Sequence, residues 1–161
     1  MKKKLLDTSA IYRSDLNLSE GGYVTTNRVL DEVRDDTAKS VLNSALSSGA
    51  LLIEMPSPEY VKKTEIKAKE TGDLGRLSDV DLELLALAWE KKYLLVSDDY
   101  SIQNMCMHLD IQYMTGSAKG ITNRVKWSMI CSGCAREYEY NIKNKICPVC
   151  GSDLVKKALR S

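Results

Sequence analysis

The sequence predicts a three-layer α/β domain followed by a small metal-bound β module, on two observations. Short apolar runs alternate with longer helical patterns through the first 117 residues, and four of the five cysteines crowd into the last 31 of 161. Strands alternating with helices imply a parallel sheet covered on both faces. Paired Cys-x-x-Cys spacings, in a chain expected to carry no export signal, read as metal ligands before disulfides.

The elements follow in order. KKKLLD (2–7), ALLIEMP (50–56), YLLVS (93–97) and IQYM (111–114) are short apolar runs of strand length, and GYVTT (22–26) is a weaker one supported by Val and two Thr. Helical spacing falls at 9–14, 27–47, 58–71, 79–91 and 101–109. Ser9 and Ser78 suit helix N-caps, and Ser78-x-x-Asp81 fits a capping box. The stretch 115–126, TGSAKGITNRVK, has two Gly and no clear period. This separates a domain over 1–117 from a module over 127–161, with a linker at 118–126.

With 43% hydrophobic and 28% charged residues the composition is that of a globular protein. No 18-residue apolar stretch occurs, which excludes a helical membrane span. The basic start MKKKLL is interrupted at once by Asp7, so it does not read as a signal peptide, and a cytoplasmic protein is expected. The net charge of +1 hides an asymmetry. Residues 1–117 carry 14 Lys and Arg against 19 Asp and Glu; residues 118–161 carry 9 against 3. A basic second unit favours a polyanionic partner.

Cys131-x-x-Cys134, twelve residues, then Cys147-x-x-Cys150 is the most specific local pattern. Each pair makes a knuckle whose backbone N–H groups face the sulfurs, with Gly133 and Gly151 expected at positive backbone angles and Pro148 stiffening the second knuckle. Four thiolates suit one tetrahedral Zn²⁺. The alternating EYEYNI between the knuckles reads as a hairpin strand, making a zinc ribbon. A unit this small cannot bury enough surface to fold alone, so metal binding would supply the difference. A site closed by four cysteines is structural rather than catalytic. Redox-active cysteines are the bland alternative.

Asp7 ends the first strand, and Asp98 and Asp99 follow the fourth. In parallel sheets functional groups gather beyond the carboxyl ends of the strands. Glu32, in the helix after the second strand, and Asp81, in the first turn of the helix before the fourth, begin near the same edge. Singly, each has an ordinary explanation: capping, helix-dipole preference or a solvated charge. Jointly they repel by about 3 kcal/mol per pair at roughly 5 Å and an effective dielectric near 20. A fold tolerates that with divalent cations, and an oxygen-only ligand set suits Mg²⁺ or Mn²⁺.

These segments resemble the four acidic motifs of a PIN domain: LLDTSAIY, TTNRVLDEV, LSDVDLELLALA and LLVSDDYSIQN, in that order. Followed by KWSMICSGC and CPVCG, the chain resembles the Nob (NIN-one-binding) endonuclease family, with archaeal rather than eukaryotic proportions. The resemblance implies a metal-dependent ribonuclease fold with a five-stranded parallel sheet. It implies cleavage of precursor small-subunit ribosomal RNA at its 3′ end, within a pre-ribosomal particle and alongside ribosome-assembly factors. It makes Asp7, Glu32, Asp81 and Asp99 the ligands of one or two catalytic Mg²⁺ or Mn²⁺ ions, with Asp98 kept as an alternative fourth and Thr8 and Ser97 orienting them. Lys119, Arg124, Lys126, Arg136, Lys143 and Lys145 are candidates for RNA contact, with Trp127 or Tyr138 available to stack a base. Trp127 serves equally well as ribbon packing, and His108, near Cys106, reads as packing or surface. Two rivals are a PIN-domain toxin, expected to lack a ribbon, and a catalytically silent RNA- or ribosome-binding protein.

Overall fold

The computed structural model describes residues 2–13, 16–115 and 124–160. Five parallel strands, β1 (Lys4–Leu6), β2 (Tyr23–Thr25), β3 (Leu51–Ile53), β4 (Leu94–Val96) and β5 (Tyr113–Met114), form one sheet in the order β3-β2-β1-β4-β5. Its centre is the β1–β4 pair, with Lys4 opposite Leu94 and Leu6 opposite Val96. The carboxyl ends of two strands far apart in sequence therefore lie side by side.

The central strands β1, β2 and β4 are buried on both faces, as a parallel sheet between helices must be, while the edge strands β3 and β5 expose Leu52, Ile53 and Met114. On one face Leu5, Val24 and Leu95 pack against Leu84, Leu85, Leu87, Ile102 and Met105. Those partners come from helices α5 (Asp79–Lys91) and α6 (Tyr100–His108), and Ala68 of α4 (Pro58–Thr71) joins them. On the other face Leu6, Tyr23 and Val96 meet Ala10, Leu42 and Ala45. Here the cover is α1 (Thr8–Ile11) and α3 (Asp36–Ser48), with α2 (Asn27–Glu32) completing the domain.

The single helix expected over 27–47 is two. Val33 is extended (ψ 119°), and Asp35 then caps α3 by accepting the Ala38 N–H at 2.7 Å. The apolar spacing persists across the break because Val33 remains buried, so periodicity alone could not see it. The helix expected at 9–14 is the short α1, capped by Asp7 rather than Ser9. Two 3-10 turns, Leu18–Glu20 and Leu74–Arg76, have no counterpart in the sequence reading.

The second unit is an antiparallel sheet of β6 (Val125–Cys131), β7 (Glu137–Glu139) and β8 (Leu154–Arg160) in the order β7-β6-β8. β6 starts at Val125, so the last two residues of the expected linker are strand, paired with Arg160 and Leu159. LVKKALR is composed largely of helix formers, yet it is β8. Seven cross-strand partners on β6 override that propensity.

Candidate active site and metal centre

Asp7 is 5% exposed at the carboxyl end of β1, where its Oδ1 accepts from the Ala10 N–H at 2.9 Å and the Ser9 hydroxyl at 2.7 Å. Its Oδ2 accepts a short hydrogen bond from Ser97, the buried residue that follows β4. The adjacency of β1 and β4 makes that bond between residues 90 positions apart. Glu32, the last residue of α2, accepts from the Thr8 hydroxyl at 2.5 Å. Asp81 closes a reciprocal capping box with Ser78, its Oδ2 accepting the Ser78 N–H at 2.9 Å. Asp99 caps α6, its Oδ1 accepting from Ser101 at 2.7 Å and Ile102 at 3.2 Å. Asp7 and Asp99 are thus helix N-caps and Asp81 is the reciprocal partner in the Ser78 capping box, so capping hydrogen bonds orient three of the four carboxylates.

Their charges act on one another. Burial pushes the Asp7 carboxyl above the usual aspartate range, against its three hydrogen bonds, and the charge of Asp99 adds to the rise. Burial likewise raises Asp81, with the charges of Asp99 and Glu32 adding to it. The charge of Asp99 reaches both Asp7 and Asp81, and the backbone N–H of neighbouring Asp98 donates to Ser9 Oγ at 3.2 Å. Arg28 of α2 pairs with Glu83 at 3.1 Å and lies 3.9 Å from Asp79, both on α5, holding the helices of Glu32 and Asp81 together. Among the described residues, the four cysteines described next are the only His, Cys, Asp or Glu group whose ligand atoms lie close enough together to hold a metal ion directly; the carboxylates do not form such a group.

Cys131, Cys134, Cys147 and Cys150 bring their sulfurs within 4.8 Å of one another. Cys131 and Cys150 are 3.3 Å apart, Cys134 and Cys147 3.7 Å. Thiolates about 2.3 Å from a tetrahedral zinc are separated by roughly 3.8 Å, so the donor set and its spacing fit that ion. The Gly133 and Cys134 N–H groups donate to Cys131 Sγ at 3.3 and 3.4 Å, and the Tyr138 hydroxyl sits 3.1 Å from Cys147 Sγ. This hydroxyl holds the Cys147 thiol down to about 6, which favours the thiolate a metal needs. Gly151 has the expected positive φ (+75°), but in the first knuckle the positive angle belongs to Ala135 (φ 61°), not Gly133. A Cβ on Gly133 would instead collide with Ser152. Close approach, not backbone angle, accounts for that glycine.

Of the residues expected to contact RNA, Arg124, Lys126, Arg136, Lys143 and Lys145 are exposed, and Lys119 lies outside the described residues. The aromatic candidates are occupied. Tyr138 is engaged at Cys147, and Trp127 has Arg76 and Lys156 each 3.8 Å from its ring centroid. Two cations at that distance crowd the ring against a stacking base. Trp127 also lies against Gly72, where an added Cβ would come within 2.5 Å of the Trp127 Cβ. A groove of about 710 Å³ runs beside this contact, lined by Lys69 of α4 and by Lys126 and Tyr140 of the ribbon. His108 faces the carbonyl of Val125 at 3.0 Å, away from the acidic edge. Residues the motifs did not flag include Ser9, Arg28, Asp73 and Asn104. Only Ser9 carried a signal, and it read as a helix cap rather than as a partner of Asp7.

The family model described as the PIN domain of ribonuclease matches residues 5–90. Over 152 residues the chain is 38% identical to "Endoribonuclease Nob1" of Pyrococcus abyssi, covering 94% of this chain and 92% of that protein. It is 40% identical over 163 residues to the protein of the same name from Methanocaldococcus jannaschii, covering 100% of this chain and 80% of that one. "Ribonuclease VapC1" of Thermoplasma acidophilum is 33% identical over 150 residues, with 93% and 75% covered.

Proposed function

We propose that this chain, which belongs to the Nob family of PIN-domain endoribonucleases, hydrolyses single-stranded precursor RNA to mature the 3′ end of small-subunit ribosomal RNA. What supports the reading most is the pairing of β1 with β4, which brings Asp7 and Asp99 to one edge, where burial first, and neighbouring carboxylates after it, raise Asp7 and Asp81. Asp99 opposes the ionisation of Asp7 and, with Glu32, that of Asp81, and a bound divalent ion would relieve that repulsion.

Asp7, Glu32, Asp81 and Asp99 would hold one or two Mg²⁺ or Mn²⁺ ions, which supply hydroxide from bound water and polarise the phosphodiester. Each ligand is oriented in advance by donors of the protein itself. Ser97, Ser9 and Ala10 fill three of about four acceptor positions on Asp7, leaving room for a metal. Thr8 steers Glu32, and the Ser78 box steers Asp81. Attack in line on phosphorus leaves a 3′-hydroxyl and a 5′-phosphate. The four cysteines would hold one structural Zn²⁺. Because the catalytic edge is acidic, attraction for RNA falls to the ribbon, through Arg124, Lys126, Arg136, Lys143 and Lys145. The pre-ribosomal particle, in the cytoplasm, is the setting this reading implies.

The test is cleavage of a transcript spanning the small-subunit rRNA 3′ end, with Mn²⁺, by wild type and by Asp7→Asn. One discrete cut by wild type and a loss of at least about 100-fold in Asp7→Asn is the expected result. Equal inertness of both, with RNA binding retained, would make the chain a binding protein. Cleavage of unrelated RNAs at the same rate would instead favour the toxin-type reading, which the likeness to a protein named VapC1 keeps in view.

A further inference from the structure

The ribbon is fastened to the first domain by polar groups as well as by Trp127. The buried side chain of Asn104 meets both backbone groups of Val125, accepting its N–H at 2.7 Å and donating to its carbonyl at 2.9 Å. It thereby pairs the start of β6 as a neighbouring strand would. The same amide donates to Asp73 at 3.0 Å, and Thr71 donates to that carboxylate at 2.6 Å. Asp73 is 1% exposed. A buried carboxylate and a buried amide are a costly way to hold two surfaces together, and groups of this kind fix one geometry where apolar contact would permit several.

The fastening lies within a few residues of the acidic edge on two segments. The 3-10 turn after Asp73 carries Arg76, which covers the Trp127 indole, and leads into the Ser78–Asp81 capping box. Helix α6 starts at Asp99 and carries Asn104, about 7 to 8 Å further along at 1.5 Å per residue. Its Gln103 also donates to the carbonyl of Ser97, the residue that bonds Asp7. A small cavity of about 90 Å³ at the seam is lined by Asp73, Arg76, Tyr100, Ser101 and the ribbon's Val125 and Trp127.

We infer that the docked ribbon is a positioning element for the catalytic edge: Asn104, gripping Val125, and Arg76, gripping Trp127, set the separation of Asp81 and Asp99 and so the affinity for the divalent ion. This rests on the reading of the edge as a metal site. Binding at one end of a coupled pair strengthens the other by the same factor, so the divalent ion must in turn tighten the ribbon's grip.

The experiment uses full-length, zinc-loaded protein and Mn²⁺ alone, without RNA, with binding followed by the electron spin resonance of free Mn²⁺. Asn104→Leu keeps the side-chain size and leaves both Val125 groups without their partner. Its Mn²⁺ affinity should fall by about fivefold or more, with zinc content and helical circular dichroism unchanged. Val149→Ser, on the exposed tip of the second knuckle, should bind Mn²⁺ as wild type does. A second measurement needs no variant: saturating Mn²⁺ should slow hydrogen exchange at the Val125 amide of the wild type. Wild-type Mn²⁺ affinity in Asn104→Leu, or Val125 exchange indifferent to Mn²⁺, overturns the inference alone. Absence of any Mn²⁺ binding that depends on Asp7 removes the metal-site reading and this inference with it.

Discussion

The acidic edge and the cysteine knuckles are both candidate sets of metal ligands, yet they are held in opposite ways. At the edge, each carboxylate sits at the end of an element whose place is fixed by a large apolar core: Leu5, Leu85, Leu87 and Leu95 are fully buried beneath it. The knuckles have almost nothing beneath them. Their cluster of buried residues is Met129, Cys131, Cys147 and Leu154, and two of those four are themselves ligands. The first set is positioned by folding, through the core beneath it. The second has little besides its own four sulfurs to organise it, so an ion bound among them would shape the unit.

Metal removal offers the sharpest way to break this contrast. Stripping zinc, or replacing Cys147 by Ser, should unfold β6–β8 while the parallel domain keeps its helical signal, because structural zinc contributes roughly 10–16 kcal/mol to modules of this kind. Amide spectra in which β6 persists without metal would show that the ribbon has a core of its own. Chelating divalent ions from the acidic edge should leave both units folded.

The converse test lies in the first domain. Leu85→Ala removes a fully buried side chain of α5 and should cost about 2–5 kcal/mol in denaturant unfolding. Zinc affinity should be unchanged. A matched loss of zinc would mean that the two units fold as one.

Sequence patterns revealed unequal amounts of the two regions. The cysteine spacing named the four residues whose sulfurs come together in the knuckles, because short-range geometry is encoded in short-range spacing. The acidic edge was legible as a list of candidates, since Asp7, Asp81 and Asp99 sit at helix starts that capping chemistry marks. Their nearness depends on β1 lying beside β4, which no local signal states. The break at Val33 was hidden because a buried valine continues the helical apolar spacing through extended backbone. The domain seam was invisible for a different reason. Asn104, Asp73 and Gly72 look like a surface amide, a surface acid and a helix-ending glycine, until a second sheet is packed on them.

Ser97→Ala sharpens the comparison on a smaller scale. It removes the donor to Asp7 Oδ2 and leaves a buried carboxylate oxygen short of a partner, at about 1–3 kcal/mol of metal-free stability. Cleavage should fall by about tenfold, since Asp7 would still hold the ion but with less fixed orientation. A stability loss with unchanged cleavage would show that the serine holds strands together and nothing more.

The smallest effect is one of sign. In the metal-free edge, Asp7 and Asp81 have folded values raised above that of a free aspartate, first by burial. The native state therefore binds protons more readily than the unfolded chain, whose aspartates titrate near about 3.9. Stability from this source is complete below that value and is lost as pH rises through the raised folded values. Removing divalent ions and following the helical signal should thus show the first domain losing stability across that window, with a shallower slope in Asp7→Asn. Adding Mn²⁺ should reverse the slope, because the ion binds only the ionised carboxylates and gains as they deprotonate. A slope of the same sign and size with and without Mn²⁺ would mean that these carboxylates do not share an ion, and the edge would then be a set of helix caps.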